Sequence, residues 1–225
     1  MTVPRIVILD YGMGNLHSVR KAFEVCGCTA AVSRNAGEIQ TCDALVVPGV
    51  GSFGDCVSNL SRLGLREALA GHVQSGKPYL GLCLGLQILF SSSEESPGIQ
   101  GLGLFRGHVR RFTHELKIPH MGWNTLTFVP ACAGDRSRSQ PSAGVDAGCP
   151  LFRGMEGGEY VYFGHSYYPE PASREIIAAT TDYGVTFASA VWRGAVMATQ
   201  FHPEKSQRVG LMMIRNFIEF VESKA

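Results

Sequence analysis

KPYLGLCLGLQILF, residues 77–90, is the stretch on which the reading of this chain turns. Lys77 and Pro78 open a short apolar segment, Tyr79 to Leu82, and beyond Cys83 the apolar positions Leu86, Leu89 and Phe90 fall at helical spacing. Strand, tight turn and helix is the expected order. Gly81, Cys83 and Gly85 form G-x-C-x-G, the cysteine counterpart of the G-x-S-x-G elbow, where small neighbours let a strained turn pack closely. The sulfur would then sit at a helix N-terminus, whose N–H groups and dipole favour thiolate, the attacking form. The same residues also fit a buried cysteine in a glycine-rich strand end. A partner base is needed to separate the two readings.

Outward from this stretch the chain alternates. Ile6 to Leu9 is a buried-strand run, and Leu16, Val19, Ala22 and Phe23 then lie on one helical face that ends at Gly27. Thr29–Val32 and Ala44–Val47 are further strands with a polar, turn-rich segment between them, and a helix is expected over Cys56–His72. This alternation implies a mostly parallel sheet covered on both faces. From Gly101 the texture becomes strand-rich, with GLGLFRGHVRRF, MGWNTLTFV, YVYFGHSYY and FASAVWRGAVMATQFH, before the amphipathic helix VGLMMIRNFIEFVES. We read a mixed, partly antiparallel half on the same sheet and one domain over 1–225, with 130–150 a long surface loop.

Composition narrows the function. With 225 residues, 45% of them hydrophobic, and a formal charge of +1, the chain offers no general attraction to nucleic acid or anionic membrane. No run approaches the roughly 20 apolar residues of a membrane span, and the start lacks a secretory signal, so a soluble cytoplasmic protein is expected. Seven cysteines without a C-x-x-C pair point to reduced thiols, Cys26 and Cys28 near a helix end and Cys132 and Cys149 bracketing the long loop. Neither a zinc-type Cys/His cluster nor a dinucleotide fingerprint is found, because His17 stands where G-x-G-x-x-G needs its third glycine. No metal or cofactor is expected.

Two further stretches bear on Cys83. TQFHPEKS sets His202 and Glu204 two residues apart, on the same face if extended, as a base and the carboxylate that orients it. Solvated residues in a surface turn fit the same pattern. VVPGVGSFGD pairs a buried strand with a glycine-rich turn able to aim a backbone N–H at an oxyanion, or serving only as a βα turn.

Together PGVGSFGDC, GLCLGLQ, PHMGWN, YFGHSYY and TQFHPEKSQ, with DYGMGNLHSV at the start, resemble the class I glutamine amidotransferases in order over nearly the whole chain. Within them the resemblance is to the glutaminase subunits of histidine biosynthesis. It implies an α/β, flavodoxin-like three-layer fold with a mixed, mostly parallel sheet and helices on both faces. It also implies L-glutamine as substrate, Cys83 as nucleophile, His202 as acid and base, and Glu204 as its orienter. Gly49, Val50, Gly51 and Leu84 would form the oxyanion site, and Gln87, Ser166 and Tyr167 the substrate pocket, with His165 equally able to be structural. The implied partner is a (β/α)8-barrel cyclase/synthase subunit, met through Met121 and Trp123, although Trp123 also suits a core. Gly164, where the family commonly has a β-branched residue, Leu86 in place of methionine, and the 130–150 loop depart from the pattern.

Overall fold

The computed structural model describes residues 4–130 and 148–224. Apolar Ile6–Leu9 (β1) leads to Leu16–Val25 (α1), which buries Val19, Ala22 and Phe23. Ala31–Ser33 (β2) follows, and the polar segment after it contains a helix, Ala36–Thr41 (α2), where composition suggests only turns. Asn35 starts that helix by accepting from the N–H groups of Gly37 and Glu38. Ile39 is its one buried residue, so it has no apolar periodicity to read.

Ala44–Val47 (β3) is buried throughout and runs into Phe53–Arg62 (α3) and Arg66–Gln74 (α4). The single helix expected over Cys56–His72 is thus two, because Gly64 at φ +66° adopts the left-handed conformation that ends the first. Tyr79–Leu82 (β4) then meets a one-turn helix, Leu84–Gln87 (α5), shorter than the apolar spacing through Phe90 suggests. The second half supplies Ser92–Ser93 (β5), Gly107–Arg111 (β6), His120–Thr125 (β7) and Thr127–Phe128 (β8). Tyr160–His165 (β9), Tyr167–Pro171 (β10), Ile177–Asp182 (β11), Thr186–Arg193 (β12), Val196–Thr199 (β13) and Gln207–Glu222 (α6) complete the order. Most of the 130–150 loop, with Cys132, lies outside the described residues.

The main sheet has eight strands in the order β2-β1-β3-β4-β13-β12-β11-β8. The first five are parallel and the rest antiparallel. The sequence reading puts the whole second half on this sheet, and the structure corrects it: β7 pairs with β9 in a ribbon, and β10, β6 and β5 form a third sheet. The reason is burial. β7 and β9 carry exposed Met121, Trp123 and Tyr160, which a sheet covered on both faces could not accept.

Alternation in β1 sends Ile6 and Ile8 into one core with Phe23 of α1 and Phe217 of α6, and Val7 and Leu9 into another with Leu60 of α3 and Leu69 of α4. Each such side chain stabilises the fold by roughly 1.5–3 kcal/mol. The three-layer α/β architecture expected from sequence results. Among the described residues no helix is long and apolar enough to cross a membrane.

The carboxyl ends of β3, β4 and β13 are neighbours, with Val47 and Ala198 both in register with Gly81. Ligands of open α/β sheets bind at such an edge. The chain can come this close only through glycine, since a Cβ on Gly85 would lie 1.9 Å from the Val47 carbonyl oxygen and one on Gly81 2.5 Å from that of Gly85. Gly85→Ala is therefore expected to lose about 1–3 kcal/mol, whereas Gly71→Ala in α4, whose Cβ would meet nothing within 4 Å, should gain up to about 1 kcal/mol. Urea unfolding of both variants measures the contrast, and equal effects would contradict the packing described.

Candidate active site

Cys83 occupies the turn between β4 and α5 at φ +54° and ψ −101°. A non-glycine residue there carries strain on the order of 1–3 kcal/mol, which persists only where surrounding contacts over-determine it. They do so here. The Cys83 N–H donates to the Thr199 carbonyl at 2.7 Å, and the Cys83 carbonyl accepts from Leu86 and Gln87 at 3.0 and 3.2 Å. The thiol is nearly buried, 7% exposed, at the mouth of a cleft.

His202 follows β13 and is fixed by its own backbone, its N–H donating to the Tyr162 carbonyl at 2.9 Å and its carbonyl accepting from Ser206 Oγ at 2.7 Å. Its imidazole lies 2.8 Å from Glu204 Oε1 through Nδ1 and near enough to Cys83 for the sulfur to act on its charge. The route differs from the extended segment expected, because Pro203–Lys205 is a 3-10 turn, yet the two side chains still meet. Burial alone would lower the His202 pKa. The charge of Cys83, followed by Glu204, outweighs burial and lifts it to about 10. Glu204 is itself buried, and its Oε2 has no partner among the described residues.

Cys83 opens onto a cleft of about 190 Å³ lined by Val50, Gly51, Leu84, Gln87, Ser166 and Tyr167, together with Met121, Glu95 and His165. The structure therefore brings nearly all the expected site residues together. Gly49 stands behind the cleft against Tyr11 and Leu84. Trp123 lines a different groove and is 46% exposed, so it is not core. Met121 is 67% exposed.

One expected donor points elsewhere. The Leu84 N–H is directed at the Gly49 carbonyl, 3.5 Å away, so that carbonyl, rather than an N–H, faces the oxyanion position. At this distance the bond is weak, and Gly51 at φ +104° gives the segment after β3 freedom to turn.

His165 is structural. Its Nδ1 lies 2.8 Å from the Tyr167 carbonyl, which can only accept, so this nitrogen carries the proton and Nε2 accepts from His120 Nδ1 at 3.0 Å. Burial pushes His165 down to about 3 and His120 down to about 4, and both are neutral. Two residues at the site, Glu95 in the cleft wall and Gln200 buried behind Cys83, have no signal in the sequence. Glu95 Oε2 accepts the Phe53 N–H at 2.6 Å, a contact across 42 residues, and Gln200 lies 3.5 Å from Cys83 Sγ through Nε2.

A cysteine nucleophile at a strand-to-helix elbow, a histidine and a buried carboxylate beside it, and a polar cleft at the carboxyl edge of a parallel sheet define a candidate amide hydrolase site. The glutamine amidotransferase class-I family profile matches residues 7–220. The HisH subunit of imidazole glycerol phosphate synthase from Syntrophotalea carbinolica is 48% identical over 94% of this chain and 98% of its own length. That of Methanothermobacter thermautotrophicus is 46% identical over 97% and 100%. A crystal structure of a glutamine amidotransferase superposes with a TM-score of 0.70 at 18% identity, covering 96% of this chain and 98% of its own. PurLQS from Thermotoga maritima superposes with 0.67 at 16%, covering 99% of each, and both likenesses concern the fold. The chain belongs to the class I glutamine amidotransferases. Within them it belongs with the HisH subunits of imidazole glycerol phosphate synthase.

Two outcomes follow from the site geometry. Cys83→Gly relieves the left-handed strain and should leave the chain at least as stable as the parent, by up to about 2 kcal/mol, whereas β-branched Cys83→Val should cost about 1–3 kcal/mol; a stability ranking in the opposite order would contradict the strained turn. In NMR titration the His202 imidazole should keep its proton well above the ordinary histidine range, and Glu204→Gln should lower its midpoint. A raised folded-state pKa means that this pairing stabilises fully below about 6.5 and is lost as pH rises through about 10. An ordinary midpoint in the parent chain would refute the pairing.

Proposed function

We propose that this chain acts as a single-domain glutaminase subunit, with Cys83, His202 and Glu204 hydrolysing L-glutamine to glutamate and ammonia for a (β/α)8-barrel synthase subunit of imidazole glycerol phosphate synthase. The observation that carries the reading is the buried Cys83–His202–Glu204 arrangement, with 2.8 Å between the last two. The Cys83 thiolate attacks the side-chain amide carbon and forms a C–S bond. His202 donates its proton to the departing nitrogen, the C–N bond breaks, and a γ-glutamyl thioester and ammonia result. His202, now neutral, takes a proton from water, whose oxygen attacks the thioester, and the thiolate leaves with glutamate formed. Glu204 holds the imidazole and stabilises its charged form throughout.

Recognition of the substrate's amino-acid end falls to Glu95, the one charged residue among those lining the cleft, and to Gln87, Ser166 and Tyr167. A carboxylate suits the α-ammonium group. The amide N–H groups of Gln87 are directed at Tyr167 and Gln200, leaving its Oε1 as an acceptor for the same group.

The resting oxyanion site explains why a partner is needed. With the Gly49 carbonyl facing Leu84, the segment Gly49–Gly51 must turn a peptide before two N–H groups meet the oxyanion, each such donor being worth roughly 3 kcal/mol. Met121 shares the cleft, and its exposed end with Trp123 on β7 gives a barrel subunit a surface from which to bias that turn. Delivery to an attached subunit keeps ammonia from being protonated in water.

Glutamate release is the test, measured with and without a histidine-pathway barrel subunit and its nucleotide ligand. The isolated chain should be slow, the complex faster by about 100-fold or more, and Cys83→Ala inactive in both. Equal rates for Cys83→Ala and the parent in a confirmed complex would mean a binding role only, and activation by a pyridoxal-pathway barrel instead would reassign the partner. Glu95→Gln should raise KM by about tenfold or more with a smaller change in kcat. An unchanged KM would remove Glu95 from recognition.

A further inference from the structure

Gln200 has no part in the reaction as described, yet its side chain is fully buried just beyond β13 and its N–H is tied to the Ser189 carbonyl at 2.8 Å. The direction of its carboxamide can be derived. The Tyr167 carbonyl can only accept, so Gln87, 3.0 Å from it through Nε2, must present its NH2 end there. The same Nε2 lies 3.1 Å from Gln200 Oε1. With its oxygen so engaged, Gln200 turns its own NH2 the other way, toward Cys83 Sγ at 3.5 Å. Flipping the amide would set two NH2 groups against each other at Gln87.

We propose that Gln200 is a hydrogen-bond donor to the Cys83 sulfur, favouring thiolate over thiol and fixing the direction from which sulfur attacks. The proposal rests on Cys83 being the nucleophile. Sulfur accepts weakly as a thiol or thioester and strongly as a thiolate, so the contact helps twice: before attack, and when the thiolate leaves the thioester. The other titratable groups facing the sulfur are His202 and Tyr11. His202 must give up its proton during the reaction. Tyr11 donates its hydroxyl to the Pro48 carbonyl at 2.8 Å and is held neutral by burial. Among the side chains that face the sulfur in the described residues, Gln200 supplies a donor that neither titrates nor moves a proton. Through Oε1 it also links the sulfur to Gln87, so substrate recognition and nucleophile alignment share one amide pair.

The test is the pH profile of Cys83 alkylation by iodoacetamide in the full chain, followed on the Cys83 peptide by mass spectrometry. Gln200→Met keeps the size and removes the donor, and Gln200→Glu puts a carboxylate against the sulfur. Both should raise the midpoint by about one unit or more without shifting the alkylation of the other cysteines. Profiles superimposable on that of the parent in variants of unchanged melting temperature would overturn the proposal. If either variant fails to fold, the parent supplies the readout: the Gln200 side-chain amide resonances should titrate with the Cys83 midpoint and lose that titration in Cys83→Ala. Resonances indifferent to pH would overturn it equally. Coupling of these resonances to Cys83 in a chain that releases no glutamate with its partner would uphold the contact while the catalytic reading failed.

Discussion

The close approach of the β4–α5 turn to β3 is the constraint on which the site depends. Gly85 lies so near the Val47 carbonyl, and Gly81 so near Gly85, that no side chain fits at either position. The turn between them is thereby forced to carry Cys83 at a positive φ, with its sulfur at the sheet edge and its N–H spent on Thr199. A thiol on an ordinary strand end would be buried beneath its neighbours or pointed along the sheet. Here packing energy from two apolar cores holds a locally unfavourable conformation, of order 1–3 kcal/mol, in the one place where it exposes a nucleophile.

Electrostatics then divide the buried polar groups into two kinds. His202 is lifted by Cys83 and Glu204 against the effect of burial and keeps its proton. His165 and His120, by contrast, are held neutral by burial and bonded in sequence to the Tyr167 carbonyl. The same residue type is thus charged in one case and a neutral, hydrogen-bonded support in the other. The difference comes from whether an anion faces the ring.

Much of this was legible in the sequence, for identifiable reasons. The glycines of G-x-C-x-G record a steric requirement, and the pairing of His202 and Glu204 survives because His202 is itself extended, at the cap of the 3-10 turn that carries Glu204. The parallel half was readable because strands buried on both faces are continuous apolar runs, as Ile6–Leu9 and Ala44–Val47 show. What escaped lacked a local pattern. α2 buries a single residue, the break at Gly64 depends on one left-handed residue inside an otherwise helical pattern, and β7 and β9 leave the main sheet because of exposure that neither strand reveals alone. Glu95 and Gln200 reach the site through contacts across 42 and 117 residues. The direction of the Gly49 carbonyl is a property of one peptide plane, which no residue type encodes.

The proposed chemistry, the strained turn and the proposed partner dependence all converge on a covalent step at one sulfur. The most direct measurement is rapid acid quenching of the complex with its barrel subunit during glutamine turnover, followed by mass spectrometry of the Cys83 peptide. The account predicts a γ-glutamyl thioester on Cys83 that builds up within the first turnovers and is absent in Cys83→Ala. Steady glutamate release with Cys83 unmodified, or persisting after Cys83 has been alkylated, would contradict it.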